Sequence, residues 1–259
     1  MKENKIELSG FLIVLCLPVL TWSQEPQSLG PALAKAAQYC QRLQTAVLEF
    51  SCRERIVDIF ETNSGKQVSS QFRFLYKLVE DHAQVNENRF LYNRAKQTYE
   101  AAELPETIRF FSRFGVFLPI DVLSRENQAG YTFHALPPIR QGNRTILPVA
   151  VNAQDPHRLF SGGVIHIDLK DGSIPRIEVA SHSLRNPLYL EEGSTVEDIH
   201  EYDVIHKNLR FPSQTVIRMK APEQPAPFIF NRWHKTVFTY ENYRFFKIIV
   251  KNELSGVEK

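Results

Sequence analysis

Val164-Ile165-His166-Ile167-Asp168-Leu169-Lys170-Asp171-Gly172-Ser173-Ile174-Pro175-Arg176-Ile177-Glu178-Val179 is the stretch on which the fold of this chain turns. Ile165, Ile167 and Leu169 alternate with His166 and Asp168, the period of a strand with one apolar face. Ile177 and Val179 resume the pattern beyond Lys170-Asp171-Gly172-Ser173. Asp-Gly between two such runs is hairpin chemistry: the glycine takes a positive φ, and the aspartate bonds the turn backbone. The stretch predicts two antiparallel strands, Val164 to Leu169 and Ile174 to Ala180. His166 and Asp168 are expected on the solvated face.

Working outward, the same period recurs. Leu48, Phe50, Cys52 and Ile56 alternate with Glu49, Ser51, Arg53 and Arg55. After the turn signal Asn63-Ser64-Gly65, the residues Val68, Phe72, Phe74, Tyr76 and Leu78 share one face, opposite Gln71, Arg73 and Lys77. The two runs predict a half-buried hairpin. A weaker strand falls at Phe90 to Arg94. Further strands are expected at Tyr131 to Leu136, Thr145 to Val151, Asp198 to His206, Phe211 to Met219, Phe228 to Thr239 and Arg244 to Asn252. Ahead of them all, Leu33, Ala37, Cys40, Leu43 and Val47 recur at helical spacing, and Pro31 suits a first turn, so Ala32 to Gln44 reads as an amphipathic helix. Leu104 to Gln128 breaks the strand pattern yet is rich in apolar residues. It predicts one or two short helices, split near Gly115 and Pro119, covering an opening in the β domain.

The first residues are a targeting signal in this reading. Phe11 to Leu20 is an apolar run too short to span a bilayer, and Thr21 and Ser23 fit a cleavage site before Gln24. Met1–Ser23 is therefore expected to be a signal peptide, and Gln24–Lys259 one domain, periplasmic or secreted. About 235 residues can bury a full core without metal or many disulfides. The net charge of +2 gives no bias toward nucleic acid, and no second apolar stretch is long enough for a membrane span. Cys16 lies inside the signal. Cys40 and Cys52 in an oxidising compartment predict a disulfide, the other reading being a pair of buried free thiols.

Motifs of chemistry are missing. The chain has eight histidines. His200 and His206 would stand on the order of 20 Å apart on one strand. Glu201 and Asp203 would point away from His200. No H-E-x-x-H, C-x-x-C, G-x-S-x-G or phosphate-cradling glycine loop occurs. No enzyme, cofactor or metal is expected. Asn143-Arg144-Thr145 is a glycosylation sequon. The remaining signal is eighteen phenylalanines, many on alternating strand faces. Alternation alone fits a filled core and a hollow apolar face equally well.

Gly163 to Glu178 resembles the central hairpin of the LolA-like superfamily: a strand, an Asp, a short Gly turn, and a strand that begins with Arg176. Asn208-Leu209-Arg210-Phe211-Pro212-Ser213 resembles the start of a later strand in that group. The N-terminal helix leading into a long strand fits as well. The cysteine pair and the polar stretch Ser183 to Thr195 depart from the shortest carriers. The resemblance implies a mainly β chain: one antiparallel incomplete barrel, with an N-terminal helix and short helices plugging its concave face. It also implies an envelope protein that holds a lipid or lipoprotein acyl chain, without catalytic residues. The alternative is an interaction or sensory module with the same fold and a filled core, working on an envelope protein partner. On the first reading Phe72, Phe74, Tyr76, Ile165, Ile167, Ile177 and Val179 line the ligand site. Phe110, Phe111, Phe114 and Phe117 cover its mouth.

Overall fold

The computed structural model describes residues 29–62, 67–81, 84–101, 115–155, 158, 160–180, 195–220 and 231–249. Helix α1 (Leu29–Thr45) leads into the long strands β1 (Val47–Thr62) and β2 (Gln67–Asp81), then β3 (Gln84–Asn93) and β4 (Thr98–Ala101). A 3-10 turn at Gly115–Phe117 opens the short helix α2 (Leu118–Leu123), and a second lies at Gln128–Gly130. Next come β5 (Tyr131–Ala135), β6 (Ile139–Gln141), β7 (Arg144–Ala153), β8 (Gly162–Asp168) and β9 (Arg176–Val179). The chain ends with β10 (Thr195–Glu201), β11 (Val204–His206), β12 (Leu209–Phe211), β13 (Gln214–Lys220) and β14 (Asn231–Ile249).

Twelve of these strands form one sheet in the order β4-β3-β2-β1-β14-β13-β10-β9-β8-β7-β5, with β6 also on β7. Every pair of neighbouring strands in this sheet is antiparallel. The end strands β4 and β5 do not meet, so the barrel is incomplete, as the hairpin resemblance implied. Two meanders make it up. β1 to β4 form one, and β5 to β14 the other. The β1–β14 ladder joins them, from Val47↔Ile249 to Thr62↔Asn231. β11 and β12 form a separate small hairpin.

Helix α1 buries Ala32, Ala36, Tyr39, Cys40 and Leu43. This stripe is turned slightly from the expected one, toward two alanines. Their small side chains admit the β8–β9 turn. Lys35 Nζ donates to the Leu169 carbonyl at 2.7 Å. Gly172 sits at φ +73°, and a Cβ there would lie 2.4 Å from the Lys35 carbonyl oxygen. The Asp-Gly turn is thus both a hairpin turn and the docking point of the helix. Asp171 Oδ1 accepts from the Ser173 amide at 2.9 Å to close it.

Several boundaries differ from expectation. Asp198 to His206 is two strands, β10 and β11, broken at Tyr202 and Asp203. Phe228 to Thr239 and Arg244 to Asn252 merge, over the described residues, into the one strand β14. Asn242 at φ +57° makes a bulge there, where the partner register jumps from Ser51↔Arg244 to Arg53↔Glu241. β6 has no apolar alternation and went unread; all three of its residues are exposed. Pro119 opens α2 instead of splitting it, because a proline amide is not needed in the first helical turn. The expected turn at Asn63-Ser64-Gly65, the expected signal peptide Met1–Ser23 and the apolar residues 104–114 lie outside the described residues.

Gly172→Ala should lower stability by more than about 1–2 kcal/mol, the cost of a left-handed φ alone, because the methyl also meets the Lys35 carbonyl. Urea unfolding checks this. A loss below about 0.5 kcal/mol, the range of ordinary surface changes, would mean that α1 does not dock on the turn.

Candidate functional site

One face of the sheet carries α1, the Gly115–Phe117 turn and α2, and is the inner face of the incomplete barrel. Its side chains fall in rows set by strand register. One row runs Val149–Ile165–Ile177–His200–Thr215–Phe238–Ile56–Phe72. The next runs Val151–Gly163–Val179–Asp198–Ile217–Thr236–Asp58–Ser70. Toward β7 and β8 the rows are aliphatic. Toward β10, β13, β14 and β1 they acquire buried polar groups.

These groups form three clusters. On β1 and β14, Asp58 Oδ1 accepts from His234 Nε2 at 2.5 Å and from Thr236 Oγ1 at 2.7 Å. Asp58 and His234 are each 1 % exposed, and Asp58 Oδ2 has no hydrogen-bond partner. On β10 and β13, Thr215 Oγ1 and His200 Nδ1 are 3.1 Å apart. Asp198 Oδ1 lies 3.2 Å from His200 Nε2 but outside hydrogen-bond geometry. The third cluster is ionic: Arg89 Nε donates to Glu54 Oε2 at 2.8 Å, and Arg89 NH2 lies 3.3 Å from Glu54 Oε1. Glu54 is fully buried. Tyr202 closes the floor under the short helix by donating to the Gly115 carbonyl at 2.7 Å. Burial pushes the Tyr202 and Tyr240 phenols well above their ordinary range, so both stay neutral.

The sequence reading missed this polar strip, although the signal was present. Glu54 and Asp58 have the same strand parity as Phe50, Cys52 and Ile56. His234 and Thr236 share parity with Phe238. Side chains of one parity point to one face, so these groups had to point inward. The strip brings carboxylates, imidazoles and hydroxyls into hydrogen-bond contact away from solvent. Among the described residues no group of three or more His, Cys, Asp or Glu side chains is placed to hold a metal ion. No described helix is long and apolar enough to cross a membrane.

Seven of the eleven residues expected to line or cover the site come together. Phe74, Ile165, Ile167 and Ile177 belong to the buried core cluster, and Phe72, Phe117 and Val179 are half-buried against it. Tyr76 stands on β2 opposite Cys52 and Arg89. Phe110, Phe111 and Phe114 lie outside the described residues. The described continuation of their segment does cover the inner face: a Cβ on Gly115 would meet Tyr202 Oη at 3.0 Å and His200 Nδ1 at 3.2 Å.

Two expectations are corrected. Cys40 and Cys52 form no disulfide; both are buried free thiols. Cys40 Sγ donates to the Pro119 carbonyl at 3.4 Å, so it faces α2. Cys52 faces the interior of the sheet beside Glu54 and Tyr243. Helix docking turns the two away from each other. Burial pushes the Cys40 thiol up to about 12, and burial with the nearby Glu54 carboxylate raises Cys52 as well. His166 and Asp168 are not on a solvated face either. Both are buried: His166 Nε2 contacts Glu178 Oε1 at 3.0 Å, and Asp168 Oδ1 accepts from the Lys170 amide at 2.9 Å. Arg176 bonds both Glu178 and Glu201 across the same outer surface. Burial is the largest influence on His166 and lowers its pKa, so it favours the neutral ring.

No protein-family model matches the chain, and no curated protein matches it in sequence. Solved structures are similar to it in layout. One is a putative outer membrane lipoprotein-sorting protein domain from Vibrio parahaemolyticus, at 10% identity, covering 88% of this chain and 95% of that one, with a TM-score of 0.42. Another is a LolA superfamily protein from Nitrosomonas europaea, at 9% identity, covering 82% and 92%, with a TM-score of 0.37. A third is a DUF1329 family protein from Desulfovibrio piger, at 12% identity, covering 84% and 93%, with a TM-score of 0.39. The second belongs to the superfamily that the Gly163–Glu178 hairpin resembles. These likenesses concern chain layout and carry nothing about a ligand.

Two measurements check the site. Arg89→Met should cost about 3–5 kcal/mol, because it removes the cation paired with the buried Glu54 carboxylate, and adding Glu54→Leu should restore most of the loss. Urea unfolding of the single and double variants decides it; equal losses would mean that the pair is not coupled. Second, in chain starting at Gln24, Cys40 and Cys52 should resist a thiol reagent in the native state and both react in denaturant without reductant. Labelling that needs reductant would restore the disulfide.

Proposed function

We propose that this chain is an exported cell-envelope protein that holds the acyl chain of a lipid or lipoprotein against the inner face of its incomplete barrel. The observation that carries this reading is the row Val149–Ile165–Ile177, continued beyond His200 and Thr215 by Phe238, Ile56 and Phe72. It is a largely apolar track, interrupted at His200 and Thr215, laid across an unclosed sheet and covered by α1, the Gly115–Phe117 turn and α2. An acyl chain on such a track gains about 0.8 kcal/mol for each buried methylene, so affinity does not require many polar contacts. The cover is suited to moving. α2 has six residues, too few for a helix stable by itself. Holding cargo requires no nucleophile.

A second reading has its own support. Phe74, Ile165, Ile167 and Ile177 are fully buried within one packed cluster. A filled interior of this kind suits an envelope interaction or sensory module that works through its outer surface.

Native mass spectrometry of protein taken from cell envelopes should find a bound lipid, and a neutral apolar dye should bind and be displaced by it. Val179→Trp should weaken dye binding about ten-fold or more, equal to about 1.4 kcal/mol, while lowering folding stability by less than that. Val179 is half-buried in the row beside the apolar track. Protein that carries no lipid and binds no dye would give way to the interaction-module reading.

A further inference from the structure

The inner face is not neutral, and its charge bears on which amphiphile it takes. Glu54 is matched by Arg89. Asp58 and Asp198 share the same row of the inner face; Asp58 bonds His234 and Thr236 and faces Ser70, and Asp198 lies beside His200 between Val179 and Ile217. Asp58 is 1 % exposed, and its Oδ2 accepts no hydrogen bond, while Oδ1 already accepts two. A buried carboxylate oxygen without a donor is costly, and a charged donor satisfies it best. Asp58 sits one row from Ile56, Phe238 and Phe72, where the apolar track ends. A head group at Asp58 would therefore leave its chain free to run over Phe238 toward Ile177 and Ile165.

We propose that the ligand is a long-chain amphiphile with an ammonium head, whose N–H groups donate to Asp58 Oδ2. This deepens the acyl-chain reading and rests on it. The Asp198 carboxylate, three strands further across the same row, adds to a field that favours the cation. A fatty-acid anion would instead bring one more negative charge beside Asp58. No covalent step is involved.

The test compares three chains of one length, dodecylammonium, dodecanol and dodecanoate, by displacement of a neutral dye at pH 7 from chain starting at Gln24. Dodecylammonium should bind about ten-fold or more tighter than dodecanoate, with dodecanol between them. Asp58→Asn, nearly the same shape, should remove most of that preference and leave dodecanol unchanged. Equal binding of the ammonium and the carboxylate overturns the proposal, and so does a preference that survives Asp58→Asn. If that variant does not fold, the ranking by the unaltered protein still decides. Dye binding with no displacement by any of the three chains also overturns it while sparing the acyl-chain reading; absence of dye binding removes both. Vesicles separate two sources of the ammonium group. Preferential extraction of phosphatidylethanolamine over phosphatidylglycerol supports the proposal with a lipid head group as the source. Dodecylammonium binding without that preference supports it with a free long-chain amine.

Discussion

The antiparallel ladder between β1 and β14 joins segments from opposite ends of the described chain, and the inner face exists only because of it. Neither meander alone brings Asp58 beside His234 and Thr236, or Glu54 beside Tyr240. The ladder also sets which rows continue across the sheet. Since the side-chain period of a strand is two, a slip of one residue would carry Phe50, Ile56 and the two carboxylates to the outer face. It would also expose Arg53 and Arg55 to the interior. Both are exposed in the folded chain, so the register has charge on one side and burial on the other to hold it.

The polar strip follows from this ladder and is the least economical part of the wall. Buried carboxylates are tolerated when hydrogen-bonded, and replacing such groups by apolar ones is often neutral or stabilising. Retaining Asp58, His234, Asp198 and His200 in a face that is aliphatic elsewhere therefore points to a requirement other than stability. The neighbouring strands show the contrast. β7 and β8 give the fully buried Val149, Leu147, Ile165 and Ile167 to the same face.

The helices depend on the sheet in turn. Among the described residues α1 has no helical partner of its own length, and it is placed by the β8–β9 turn beneath Lys35, by the bond from the Arg210 amide to Tyr39 Oη at 3.0 Å, and by α2. Each contact is with a different stretch of chain. The helix thus reports whether the hairpin turn, the β11–β12 hairpin and the cover are all in place.

Local pattern determined the mainly β class, the helix at the start, the Asp-Gly hairpin and the apolar faces of Phe72, Phe74, Ile165, Ile167 and Ile177. These depend on periods of two and 3.6 and on turn chemistry, which act within a few residues. Parity along β1 also contained Glu54 and Asp58, though a reading that followed only apolar residues passed over them. Only the tertiary structure decided which strands became neighbours, that Asn242 marks a bulge inside one long strand, and that Cys40 and Cys52 face different elements. It also decided that Asp58 meets His234 and that the outer face at His166 and Asp168 is covered. The physical reason is common to all of these. They depend on register and contacts between segments far apart in the chain, and alternation within a strand carries no record of the partner across it.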